Sequence, residues 1–342
     1  MVPRAAGTTL ALAGMVLFAM PASTGASDTQ TLFYTAYAGG ALELRAISPD
    51  GTGARTMAKL GHELIDDVTL SPDGQAAALL DDAGLSIIDL RDGTKRIVAP
   101  DAISAGYTWA PDSRRIAYRS EGPNPQIYVV RVDGSHRTRL THTRPPKRTW
   151  STYRRLEWAP DGKRIAFMKW QAYDSHHPPV GGRIGLVTIS GKQTLLTRVR
   201  PFVPASLAWS PNSKALAAGG LSDAGVMIVP VGRGKPQYLR ATTCCVGVDP
   251  SWSPDGKRLA FLSGDTSLSD AGGVIELASN RVTVFHQFAP AYDPVWARDS
   301  RHFAFVGCHD RNCDVYISSS DGRDVKRVEG TRGVRNLLAW TD

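Results

Sequence analysis

Three groups of residues have types and spacings from which chemistry could be built. The first is basic and aromatic: His142, Arg144, Lys147, Arg148, Trp150, Tyr153 and Arg155 lie close together, with His176, His177 and His309 further along. Guanidinium groups and aromatic faces suit an anionic ligand or an acidic partner surface. Imidazoles at 142, 176, 177 and 309 have the chemistry to hold a divalent metal. The second group is acidic: Asp67, Asp249 and Asp293, the last two each followed by proline. The third is sulfur: Cys244, Cys245, Cys308 and Cys313. Catalytic signatures are missing from the sequence: it has no G-x-S-x-G elbow, HExxH pair, phosphate loop or dinucleotide-binding fingerprint. No catalytic residue is assigned, and no motif demands a cofactor.

These groups need a scaffold, and composition bounds it. The 342 residues are 42% hydrophobic and 21% charged, with 40 Lys+Arg against 32 Asp+Glu. That is a globular balance, not that of a disordered chain. The excess of +8 is spread over many short segments and forms no nucleic-acid-binding stripe. Residues 1–26 read as an export signal: Arg4, an apolar Ala5–Met20 stretch, then Pro21 and small residues before a cleavage point. The expected product is a periplasmic or secreted domain over 27–342, not membrane-spanning after signal removal, and monomeric. Four cysteines in an exported chain suggest disulfides, with three connectivities open. Cys308 and Cys313 flank a short hairpin loop and are the easiest pair to bridge. Adjacent Cys244 and Cys245 would make a strained ring.

One phrase recurs along the chain. Leu70-Ser-Pro-Asp-Gly74, Trp109-Ala-Pro-Asp-Ser113, Trp158-Ala-Pro-Asp-Gly162, Trp209-Ser-Pro-Asn-Ser213, Trp252-Ser-Pro-Asp-Gly256 and Trp296-Ala-Arg-Asp-Ser300 are followed by a truncated copy at Trp340. Six of the eight tryptophans occupy this one position, which excludes coincidence. The Pro-Asp-Gly core is turn chemistry; serine in the last place should turn less well than glycine. A strand ends before each turn, and another begins after it with a basic start, as in Lys163-Arg-Ile-Ala-Phe167. A third strand (126–132 in one repeat) and a polar fourth (137–141) complete the unit around a second turn at Asp133-Gly134. Gly181-Gly182 and Gly272-Gly273 are expected in hairpin loops.

Four short antiparallel strands in a period of about 40–45 residues make a propeller blade. The phrases resemble the repeat of the TolB propeller family, also called WD40-like or PD40 repeats, over residues 31–342. The resemblance implies an all-β ring without the α/β domain that accompanies it in TolB. TolB itself is similar to a six-bladed ring. The marker residues here instead give seven blades, with six as the alternative. Residues 31–36, 41–47 and 54–57 read as three strands lacking an innermost partner, which Asn336–Trp340 would supply.

If the inner strand of each blade is called a and the outer d, the short a–b and c–d turns share one face, expected to be scaffold. The irregular b–c loops and d–a connections share the other, where function is expected to concentrate. That face carries His142, Arg144, Arg148, Trp150, Tyr153, Arg155, His176, His177 and His309 as candidate ligand-binding residues. Three positions upstream of each marker, Asp67, Asp249 and Asp293 should ring the channel mouth, with Arg155 across from them. The expected function is an exported binding module for a protein partner or an anionic envelope polymer. The alternative is a metal-dependent lyase or hydrolase-type enzyme acting on an anionic saccharide, because oligogalacturonate lyases resemble the same repeat.

Overall fold

The structure, a computed structural model, describes residues 30–341 apart from 62–64, 66, 123, 143–149, 173–180, 200–203, 221–224, 240–247, 264–271, 286–290 and 310–311. The expected signal segment, Arg144, Arg148, His176, His177, Cys244 and Cys245 therefore lie outside the described residues. Among the described residues no helix is long and apolar enough to cross a membrane.

Seven four-stranded antiparallel sheets are present, not six. Blade 1 contains β1 (Thr31–Ala38), β2 (Ala41–Ile47) and β3 (Arg55–Gly61). Blade 2 has β4 (Asp67–Leu70), β5 (Ala76–Asp81), β6 (Gly84–Asp89) and β7 (Lys95–Ala99); blade 3 has β8 (Ala102–Trp109), β9 (Arg115–Ser120), β10 (Ile127–Arg131) and β11 (Thr138–Arg139). Blade 4 has β12 (Trp150–Trp158), β13 (Arg164–Ala172), β14 (Gly181–Thr188) and β15 (Gln193–Val199). Blade 5 has β16 (Pro204–Trp209), β17 (Ala215–Gly220), β18 (Val226–Pro230) and β19 (Gln237–Leu239). Blade 6 has β20 (Val248–Trp252), β21 (Arg258–Ser263), β22 (Gly272–Glu276) and β23 (Arg281–Phe285). Blade 7 has β24 (Ala291–Trp296), β25 (His302–His309), β26 (Asn312–Ser319) and β27 (Val325–Arg327). The last strand, β28 (Val334–Thr341), returns to blade 1 and pairs with β1, placing Trp340 opposite Leu32. The ring is thus closed by hydrogen bonds between the two ends of the described chain.

The recurrent tryptophan joins neighbouring blades through its indole. Nε1 of Trp209 donates to the carbonyl of Glu157 at 2.9 Å, that of Trp252 to Ala208 at 3.2 Å, and that of Trp296 to Ser251 at 3.0 Å. Trp109 Nε1 donates to Thr69 Oγ1 at 3.1 Å. Each acceptor belongs to the residue just before the marker of the preceding blade. Above the indoles lie basic side chains from the preceding strand b: Arg115 over Trp158 (5.1 Å) and Arg164 over Trp209 (5.5 Å).

The turns add a second clasp, and here serine behaves differently from expectation. Ser113, Ser213 and Ser300 take positive φ of 55–57°, the conformation glycine adopts at 74, 162 and 256. The strain is offset between blades. The hydroxyls of Ser113, Ser213 and Ser300 each accept a hydrogen bond, at 3.0 Å, from the backbone N–H of Asp73, Asp161 and Asp255 in the blade before. Serine and glycine alternate, so blades 2–3, 4–5 and 6–7 are clasped in pairs. The glycine pairs at 181–182 and 272–273 also differ from expectation, because they open strands β14 and β22. A Cβ on Gly273 would meet the Phe261 ring at 2.9 Å and Thr283 O at 2.3 Å, so the aromatic of strand b needs a glycine opposite it.

Closure and clasps make separate predictions. Deleting residues 336–342, or replacing the buried Trp340 by alanine, is expected to lower the unfolding free energy by about 3–5 kcal/mol in the alanine case and more in the deletion. Thermal or urea unfolding reads this directly, and an unchanged midpoint would refute non-covalent closure. Ser213→Ala keeps the positive φ and strands the Asp161 N–H, at a cost of about 1–2 kcal/mol; Ser213→Gly relieves the φ and should cost less.

Candidate functional site

Strand a of each blade begins on the face of the b–c loops and d–a connections, and the residue three before the marker lies within that strand. These residues are Asp67, Gly106, Arg155, Ser206, Asp249, Asp293 and Leu337. Beside two of these positions the pairing of strands a and b breaks register, between Arg154 and Glu157 in β12 and between Tyr292 and Val295 in β24, as it also does in blades 1, 3 and 5. At both bulges a non-glycine residue sits in the left-handed region, Arg155 at φ 50° and Asp293 at φ 56°. That conformation costs an L-residue roughly 1–2 kcal/mol, somewhat less for aspartate. Gly106 is glycine for a spatial reason, since a Cβ there would stand 2.8 Å from the Cβ of Arg119, a buried arginine of blade 3.

The bulge in β12 also ends at Glu157. Burial pushes its carboxyl well above the usual range; the Arg155 charge opposes that and Asp67 adds to it. Sequence reasoning passed over Glu157. The available signal was a carboxylate immediately before a tryptophan marker, where other blades have Thr69, Thr108, Ala208, Ser251, Val295 and Ala339.

Asp249 and Asp293 are both buried, at 6% and 4% exposure. Burial raises the Asp249 carboxyl to about 7, against the pull of Arg155 and a hydrogen bond from Ser206. One of its oxygens, Oδ2, has no hydrogen-bond partner among the described residues. Asp293 is also raised, by burial first and then by the neighbouring Asp249 charge. Unlike Asp249, it has a clear structural task. Its Oδ2 accepts from the Leu337 N–H at 3.1 Å and from Asn336 Nδ2 at 3.2 Å, tying blade 7 to the closing strand. Asp67 thus acts electrostatically on both Glu157 and Asp293, Asp249 acts on Asp293, and Arg155 acts on both Glu157 and Asp249.

The remaining candidates are scattered. His142 is exposed on the connection after β11, and His309 is exposed at the end of β25. Tyr153 is buried, with its ring edge-on to Phe167 at 5.1 Å and its hydroxyl donating to Gln193 Oε1 at 3.3 Å, so it is a core residue. Trp150 opens β12. Among the described residues no three His, Cys, Asp or Glu side chains are grouped to hold a metal. Cys308 and Cys313 are directly opposite in the β25–β26 hairpin and form a disulfide, with the Tyr292 hydroxyl 3.5 and 3.6 Å from the two sulfurs.

With seven blades and their markers in place, comparison with solved structures is informative. TolB from Acinetobacter baumannii superposes with a TM-score of 0.54 over 92% of this chain and 67% of that one, at 16% identity. The fold is a TolB-like propeller. Curated TolB sequences agree: the Tol-Pal system protein TolB of Thioalkalivibrio sulfidiphilus is 26% identical over 83 residues, 23% of this chain and 19% of that protein. A second relative, the uncharacterized peptidase YuxL of Bacillus subtilis, is 27% identical over 174 residues, 48% of this chain and 22% of that protein. The chain thus spans only about a fifth of the length of these relatives. The same fold occurs in an oligogalacturonate lyase in complex with manganese, with a TM-score of 0.59 and 14% identity over 89% of this chain and 86% of that one. No protein-family model matches the chain.

The raised carboxyls fix the sign of a pH dependence. In the unfolded chain Asp249 titrates near 3.8, and in the folded ring near 7. Between those values the folded protein holds a proton that the unfolded chain has lost. The contribution of Asp249 to stability is therefore most favourable below about pH 4, falls across the window and levels off above about 7. Asp249→Asn removes this contribution. Its unfolding free energy should match the parent near pH 4 and exceed it at pH 8 by a few kcal/mol, at about 1.4 kcal/mol for each tenfold change in proton affinity. Urea unfolding from pH 4 to 8 measures the difference, and a variant that tracks the parent throughout would show that Asp249 is not desolvated.

Proposed function

We propose that this protein is an exported, non-catalytic binding module that docks a protein partner on the face of its b–c loops and d–a connections, with one partner side chain entering the axial well. The observation that carries this reading is Asp249: a carboxyl more than nine-tenths buried, one oxygen without a partner among the described residues, within electrostatic reach of Asp293 and Arg155. A folded chain gains nothing by burying an unmatched acceptor, whereas a donor arriving from a partner would satisfy it. The left-handed Arg155 and Asp293 support the same reading, because strain of this kind collects where a site has to be shaped. The well contains four carboxyls and one guanidinium, which suits an amide or ammonium donor better than an acidic group. His142 and His309 lie on the rim of this face, and Arg144, Arg148, His176 and His177 are assigned to it by sequence.

The mechanism is presentation. A closed ring holds the rim loops at fixed spacing, so little ordering entropy is lost on docking. The relatives support a protein partner only by analogy of fold, since TolB is by name a component of the Tol-Pal system.

The test is a photo-reactive residue at the exposed position 142, used to capture partners from an envelope fraction. One protein is expected to crosslink, and capture should fall at least about tenfold when Asp67 and Asp249 are both changed to asparagine. Capture unaffected by that double change would refute the axial well as the docking point. A stoichiometric divalent metal, together with cleavage of an anionic saccharide abolished by a chelator, would replace the binding reading with the lyase one.

A further inference from the structure

The opposite face, built from the a–b and c–d turns, carries an uneven distribution of charge that the fold does not use. In blades 3, 4, 6 and 7 strand b starts with a basic pair, and the second member of each bridges to an acid. Arg115, Arg164 and Arg258 bridge to the aspartate of their own turn at 2.8, 2.6 and 3.9 Å, and His302 reaches Asp299 at 2.8 Å. The first members, Arg114, Lys163, Lys257 and Arg301, are exposed, as is Lys214 at the same place in blade 5.

In the c–d turns the blades differ. Blades 2, 6 and 7 neutralise their cations locally, with Arg91 on Asp89 at 2.5 Å, Arg281 on Glu276 at 3.4 Å, Arg323 on Asp321 at 3.7 Å and Lys326 on Asp324 at 3.6 Å. Blades 4 and 5 do not. Blade 5 replaces the turn aspartate by Asn212, and its second turn, Val231-Gly-Arg-Gly-Lys-Pro236, has no acid. The one carboxylate on this face of blade 4, Asp161, is already held by Arg164. Lys163, Lys192, Lys214, Arg233 and Lys235 are all exposed, and none has a carboxylate partner among the described residues. Between them Ile189 projects from the β14–β15 turn with 46% of its surface exposed.

We propose that the turn face of blades 4 and 5 is a docking surface for a membrane rich in anionic phospholipids. The five cations are distributed over short turns at one level of the ring, which fits a plane of negative headgroups better than the single track of a polymer chain. An exposed isoleucine among cations suits insertion just below the headgroups. Each such cation contributes on the order of 1 kcal/mol near an anionic bilayer, so five act together where one would not suffice. Bound this way, the ring stands with its axial well turned away from the bilayer and open to a partner.

The test is sedimentation of the purified protein with phosphatidylcholine vesicles, with and without phosphatidylglycerol. Binding is expected only to the anionic vesicles, and to be lost in 0.5 M salt, where charges are screened beyond a few ångströms. The variant Lys163→Gln, Lys192→Gln, Lys214→Gln, Lys235→Gln should bind at least about a hundredfold more weakly with its melting temperature unchanged, all four positions being exposed. Ile189→Ser should weaken binding several-fold while leaving the salt dependence intact. No binding to anionic vesicles, or equal binding by the fourfold variant, would overturn the proposal. Tight binding to soluble polygalacturonate with none to vesicles would overturn it in favour of a polymer surface.

Discussion

The pairing of β28 with β1 is the constraint on which the rest of the molecule depends. A propeller blade buries its faces only against the next blade, so an open ring would leave two apolar faces in water. Closure removes both at once, and the Leu32, Tyr34, Val295, Val306, Leu337 and Trp340 side chains merge into one cluster shared by blades 7 and 1. The cross-blade hydrogen bonds of Trp209, Trp252 and Trp296 are then held in register with the carbonyls they need. Trp340 and Trp158 lack such a partner among the described residues, so at those two junctions the indole contributes through packing.

Closure also creates the electrostatic conditions at the axis. Seven inner strands brought round a common centre crowd whatever they carry at their first positions. Carboxyls that would be solvated on an open sheet are enclosed, and their proton affinities rise because the charged form has lost water. Asp293 is partly repaid by the backbone of β28, a contact that exists only once the ring is shut. Asp249 has no equivalent compensation for its second oxygen. The two residues occupy the same position in adjacent blades and both precede proline, yet one is a structural clamp and the other keeps a buried oxygen without a partner among the described residues.

The two faces of the ring divide the chemistry. One collects desolvated acid around an opening, with the longer connections at its rim. The other collects solvated base on short turns that resist deformation. The same repeat produces both: the acids lie three residues before the marker in strand a, and the bases lie at the start of strand b just after the turn. Substituting a single residue type in a few blades, such as Asn212 for aspartate, is enough to tilt the charge on one sector without disturbing the strands.

The sequence by itself determined the ring. Periodic Trp-x-Pro-Asp turns, alternating apolar strands and an unpaired final Asn336–Trp340 segment are local features, and seven blades with shared ends follow from counting them. The bridge between Cys308 and Cys313 was legible for the same reason, as both ends of one short hairpin. What only the tertiary structure decided were contacts between blades. That Ser113, Ser213 and Ser300 tolerate a glycine conformation depends on N–H groups about 40–52 residues away. That Glu157 comes within electrostatic reach of Asp67 in another blade is a contact no periodicity reveals, and that Tyr153 is core and not rim depends on the Phe167 ring beside it. A repeat is encoded in neighbours along the chain. Bulges, clasps and proton affinities arise from neighbours across the ring, which the order of residues does not place side by side.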